Sequence, residues 1–143
     1  MSFQSLQKKI FVLIALSLLV LSPLAAGDKT VMLDSSDPPA AAVDVLVDAE
    51  FVLTFTSNVI NMKVSDNNRS CFTLLNDNGE SVALEVLMAD DQIEPEFKRI
   101  IRVKAHENLN KDSGYSIVIS GKLKAKNGST LGEDTTISFR TAP

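Results

Sequence analysis

From Glu50 onward, apolar side chains recur at every second position in a series of short runs separated by polar, turn-forming segments. In "EFVLTFTS" Phe51, Leu53 and Phe55 share one face, with Val52 the exception on the other. "SCFTLL" puts Phe72 and Leu74 together, and "SVALEVLM" does the same with Val82, Leu84, Val86 and Met88. A period of two places alternate side chains on one side of an extended chain, so each run predicts a half-buried strand. Between the second and third runs lies "NDNGE", where Asp77, Asn78 and Gly79 are expected to supply the positive-φ positions of a tight hairpin.

The pattern continues in "FKRIIRVKA", with Ile101 and Val103 on one face and Lys98, Ile100, Arg102 and Lys104 on the other. "YSIVIS" turns Tyr115, Ile117 and Ile119 inward, and "TTISFRT" does so with Ile137 and Phe139. Adding "VDVLV" as a first strand gives about seven short strands. No segment holds a helical period. Strands at this spacing with turn signals between them predict an all-β, antiparallel sandwich. The bases Lys98, Arg102 and Lys104 read as charges guarding a sheet edge against uncontrolled pairing.

The beginning of the chain follows different rules. Lys8 and Lys9 precede the apolar run Ile10 to Leu21, which breaks at "SPLAAG". A basic end, a short apolar segment and a small-residue exit form the layout of a secretory signal peptide, expected over residues 1–26 with cleavage after Ala26 or Gly27. The alternative is an uncleaved anchor, but the run is shorter than the ~20 residues that cross a bilayer. Residues 27–36, in the small and turn-rich "DKTVMLDSSDPPAAA", read as an exposed leader, with Pro38 and Pro39 stiffening the entry to a domain at 37–142.

Removing the signal leaves 18 acids against 12 bases, a net charge of −6. That balance argues against holding nucleic acid or anionic lipid by bulk charge. One cysteine, Cys71, cannot close an internal disulfide, and beside Phe72 it reads as a small core residue. The core must hold the domain without a covalent staple.

At "ENLNKDSGYSIVISGKLKAKNGSTL", together with "DPPAAAVDVLVDAEFVLTFTSNV" and the terminal "TTISFRT", the chain resembles the bacterial Ig-like domains of the surface-layer-protein type. The features that carry the resemblance are the Pro38–Pro39 entry, Thr54 and Phe55 closing a strand, Leu109 followed by Gly114 and Tyr115, the Asn127–Gly128 turn, and Phe139 with Thr141. It covers about residues 37–142 and implies an Ig-like fold in a secreted or envelope-associated bacterial protein. Where many members carry an Asp-rich turn before the Asn-Gly pair, this chain reads "KLKAK", which removes the oxygens a calcium-assisted version would use. Independently of the resemblance, Leu109 six places before Tyr115 fits a tyrosine corner, a structural role in which the phenol bonds an upstream backbone group.

Chemistry-bearing candidates are few. "DDQIEPE" gathers Asp90, Asp91, Glu94 and Glu96, but a calcium loop needs six to eight oxygens on a tightly turned backbone, usually with glycine, and here Pro95 stiffens the chain instead. Adjacent acids on an exposed loop also stay ionised, whereas an acid/base pair needs pKa values driven apart by burial. The segment reads as a wet connection crossing between sheets. A hydrolase would have to be assembled around His106, the single histidine, with no nucleophile motif to support it. Cu(I) favours thioethers and imidazole, for which the mature chain offers only Met32, Met62, Met88 and His106, scattered along the sequence. "NRS" at Asn68 and "NGS" at Asn127 match a glycosylation acceptor, which carries little weight in the bacterial chain that the resemblance implies.

The remaining distinctive stretch is "NVINMKVSDNNRS", whose Asn58, Asn61, Asn67 and Asn68 interrupt the strand pattern at what should be one end of the sandwich. Ends of sandwiches are where binding loops cluster. The sequence therefore points to an exported, non-enzymatic module with no cofactor, acting in binding, adhesion or structure at the cell envelope or outside the cell. Its partner would be an envelope or extracellular protein or glycan, met by the asparagine-rich segment or by the acidic one; a copper or calcium binder is the alternative reading, and a small hydrolase a more remote one.

Overall fold

A computed structural model describes residues 30–143, so the signal-peptide segment lies outside the described residues. The chain folds as two packed sheets. Among the described residues nine strands run in order: β1 (Leu33–Asp37), β2 (Ala42–Val45), β3 (Glu50–Phe55), β4 (Phe72–Asn76), β5 (Ser81–Val82), β6 (Leu84–Leu87), β7 (Ile100–Ala105), β8 (Gly114–Ile119) and β9 (Thr135–Thr141). One sheet has the order β1-β3-β7-β6 and the other β2-β9-β8-β4-β5. A short helix, α1 (Ser65–Arg69), sits between β3 and β4.

The alternation read from the sequence is the alternation that packs. Phe51, Leu53, Phe55, Phe72, Leu74, Ile101, Val103, Tyr115, Ile117, Ile119, Ile137 and Phe139 are all buried. They project from the inner faces of both sheets, so one hydrophobic core lies between them. Leu53 stands opposite Ile101 in the β3–β7 register, and Ile117 opposite Ile137 in β8–β9. Phe139 stacks beside Phe51 and Tyr115, with ring centroids 4.6 and 5.8 Å away.

Two additions raise the strand count above seven. The first is β1, which pairs antiparallel with β3 in part of the stretch expected to be an exposed leader. Val31, just before it, is 1% exposed. The leader reading fails there because an edge strand is held by backbone hydrogen bonds, and "LDSSD" needs no apolar alternation to make them. The second addition comes from "SVALEVLM", which divides: β5 pairs with β4 in one sheet and β6 with β7 in the other. The chain changes sheets at Ala83.

That division relocates the acidic segment. Because β6 and β7 are antiparallel neighbours, residues 88–99 join two strands of one sheet and do not cross between sheets. The basic face of β7 is likewise not an edge guard, since β7 lies between β3 and β6. Arg102 there bonds Glu50 at 3.2 Å across the strand pair. The first expected strand differs too: β2 runs parallel to β9, and Asp44 at φ 56° breaks its alternation, so Val45 is buried while Val43 is 67% exposed. In the β4–β5 hairpin only Gly79, at φ 75°, takes the left-handed conformation.

The tyrosine corner has its bond. The Asn110 amide donates to the Tyr115 hydroxyl at 2.9 Å, while the Leu109 amide donates to the Val47 carbonyl. Tyr115→Phe removes one such acceptor at a half-wet site, so a loss of about 1 kcal/mol is expected in denaturant titration. An unchanged midpoint would mean that water replaces the hydroxyl at no cost.

Candidate functional site

The two segments singled out in the sequence, far apart along the chain, meet at one end of the sandwich. Their junction is Asp91. Its Oδ2 accepts hydrogen bonds from the side-chain amides of Asn58 and Asn61, both at 2.9 Å. Asn58 is itself fixed, because its Oδ1 accepts from the backbone amides of Ile60 and Asn61 at 3.1 and 3.0 Å. Asn61 Oδ1 in turn accepts from the Lys63 amide. This arrangement solvates a carboxylate with fixed donors in place of a cation.

Asn68 is fully buried at 0% exposure. Its Nδ2 donates to the carbonyls of Val59 and Lys124, each at 2.7 Å, and its Oδ1 accepts from the Lys124 amide at 2.9 Å and from Asn67 Nδ2 at 3.0 Å. Asn67 also donates to the Lys122 carbonyl. Thus α1 is bolted to the 122–125 segment through two adjacent asparagines. All four asparagines turn polar atoms inward, and no buried side-chain nitrogen or oxygen among the described residues lacks a partner.

The acidic segment is turned by its own backbone. Asp90 Oδ1 accepts from the Gln92 amide, and the Asp90 carbonyl accepts from the amides of Ile93 and Glu94. A 3-10 turn, Pro95–Phe97, follows. The side-chain carboxylates of Glu94 and Glu96 are exposed and have no hydrogen-bonding or ion-pair partner among the described residues. What this end presents outward is apolar as well as acidic: Met62 is 82% exposed and Ile93 77%.

Donation from Asn61 and then Asn58 holds the Asp91 carboxyl below its ordinary value of 3.8. A depressed folded-state value means stability that is present above the ordinary value and lost as pH falls through the lowered one. The junction should therefore loosen only below about pH 4. Thermal melts from about pH 6 to pH 2.5 check this: Asp91→Asn should remove part of the acid-side decline, and an identical decline in the variant would show that Asp91 does not contribute to it.

The other candidates do not gather into one group, although Met62 and Met88 belong to this same end. His106 Nδ1 and Glu85 Oε1 are 3.1 Å apart on an exposed face. Cys71 is buried, and desolvation pushes its thiol up, partly opposed by Lys122 and Lys124. Met62 and Met88 line one groove with Ile60 and Arg69, while Met32 lines another with Thr56 and Asn127. Among the described residues no three His, Cys, Asp or Glu side chains converge as a metal-holding group, and no helix is long and apolar enough to cross a membrane.

Compared by sequence with curated proteins, the chain finds no match. Its fold is found in solved structures. CopC from Methylosinus trichosporium OB3b aligns with a TM-score of 0.58 at 14% identity, over 79% of this chain and 94% of that one. Surface layer protein SbsC, domains 1–6, aligns at 0.54 and 21% identity, over 82% of this chain but only 14% of that one. Native alpha-2-macroglobulin from Escherichia coli, spanning domains MG0-NIE-MG1, aligns at 0.54 and 17% identity, over 83% of this chain and 34% of that one. At these identities the likeness is one of fold. The sequence match that goes further runs over residues 28–141, and on it the chain belongs to the bacterial Ig-like domain family.

Proposed function

We propose that this protein is an exported, non-enzymatic binding module of the bacterial envelope or extracellular space, and that it meets its partner with the end built from residues 58–70 and 88–99. The observation that carries this reading is the Asp91 junction. It ties two loops into one preorganised surface, and a surface fixed before contact loses less conformational entropy on binding. Inward-turned asparagines leave Met62, Ile93 and the unpaired carboxylates of Glu94 and Glu96 to face outward. An apolar centre with a polar rim is the usual anatomy of a protein-binding patch.

Family membership and the signal-peptide layout both support an extracellular or envelope setting. A catalytic reading has less behind it, because His106 sits beside Glu85 on an exposed face and burial disfavours the Cys71 thiolate. A photo-reactive residue introduced at position 62 or 93 in producing cells tests the proposal. Adducts are expected from both positions and not from position 136, on the outer face of the opposite sheet. Equal adducts from all three, or none from 62 and 93, would overturn it.

A further inference from the structure

The 3-10 turn Pro95–Phe97 folds back beside the outer face of the β1-β3-β7-β6 sheet, and a groove lies between them. Val52 of β3 and Ile100 of β7 line it on the sheet side. Met88 and Phe97 line it from the β6–β7 connection, and Phe97 keeps 41% of its surface exposed. Two charges also border it, Arg102 and Glu94. Arg102 is already engaged by Glu50 at 3.2 Å, whereas the Glu94 carboxylate has no ion-pair partner among the described residues.

An apolar groove with one uncompensated carboxylate, flanked in sequence by Asp90 and Glu96, is complementary to an apolar group carrying a positive charge. We infer that this groove docks an extended segment of another protein in which an apolar side chain is flanked by lysine or arginine. The apolar side chain rests against Val52, Ile100 and Phe97, and the cation meets Glu94. This deepens the reading of the loop end as a binding surface and rests on it. It also gives Val52 a purpose: the apolar residue that breaks the outward polarity of β3 lines the groove.

The test titrates acetylated, amidated peptides built on Leu-Lys and on Leu-Glu repeats into the 15N-labelled protein. Leu-Lys peptides should shift the amide signals of residues 52, 97 and 100, and Leu-Glu peptides should not. Glu94→Gln should weaken Leu-Lys binding at least fivefold with an unchanged melting temperature, because its carboxylate is exposed, and Phe97→Ala should abolish binding while the variant still unfolds cooperatively. Equal affinity for Glu94→Gln, equal binding of the Leu-Glu peptides, or shifts mapping elsewhere would each overturn the proposal. So would concentration-dependent dimerisation abolished by Phe97→Ala, which would assign the groove to a second copy. Photo-adducts at 62 and 93 without peptide binding would remove the groove and leave the loop-end reading standing. Peptide binding without those adducts would overturn the loop-end reading and the partner assignment that rests on it, leaving only an affinity of the groove for cationic peptides.

Discussion

Replacing Asn68 with alanine is expected to destabilise the fold by roughly 3–5 kcal/mol, more than any other polar substitution at the loop end. The side chain is 0% exposed and satisfies three backbone groups at once: the carbonyls of Val59 and Lys124 and the amide of Lys124. Alanine would leave these unpaired where water has poor access, at about 1–3 kcal/mol each before relaxation, and would leave a void. Asn68→Asp should be nearly as damaging near pH 7, because a carboxylate cannot donate to two carbonyls. Protonation at lower pH should restore part of the loss, which a purely steric role would not show. Denaturant midpoints at two pH values check both statements, and a loss under about 1 kcal/mol for alanine would mean that the 58–70 segment is held by other contacts. Because Asn68 joins α1 to the 122–125 segment, its loss should also weaken the contact proposed at Met62.

Leu53→Ala should cost about 3–4 kcal/mol, and Ile101→Ala a similar amount. Both side chains are 0% exposed and stand directly opposite each other in the β3–β7 register, at the centre of the core. Each truncation loses the transfer energy of the removed carbons and leaves a cavity that a close-packed sandwich fills poorly. Since the two residues face one another, the double variant should depart from additivity by about 0.5–3 kcal/mol. Val52→Ala, one position away on the outer face, should cost less than about 1 kcal/mol. Thermal unfolding with matched denaturant curves separates the cases. A similar loss at 52 and 53 would contradict the assignment of inner and outer faces.

Those two predictions differ in how far their residues could be read from the chain. The placement of Leu53 and Ile101 followed from alternation alone, as did that of Phe72, Ile117, Ile119 and Ile137. Burying one face of a strand demands a period of two, and that demand is written in adjacent residues. Asn68 offered no comparable signal. Asparagine is usually exposed, and its burial here rests on carbonyls from residues 59 and 124, whose proximity no local pattern encodes.

The acidic segment divides the same way. Its polarity and its position before β7 were legible, but its role depended on which sheet β6 joins. That choice is made at Ala83, where one apolar run parts into two strands. Hydrophobic alternation fixes which side of a strand is buried without naming its neighbour, so the run gave no hint of the division. Strand β1 was hidden for the opposite reason, since its polar residues are held by pairing with β3.

By itself, then, the sequence determined an all-β sandwich, the inward face of nearly every central strand, and the Leu109–Tyr115 corner, because short-range periodicity and fixed spacing carry that information. Only the tertiary structure decided that Asn58 and Asn61 would meet Asp91, that Asn68 would be buried, and that Phe97 and Glu94 would border a groove on Val52 and Ile100. Each of these depends on groups brought together from separate strands and loops, and such meetings are set by strand order and register, which alternation within one strand does not specify.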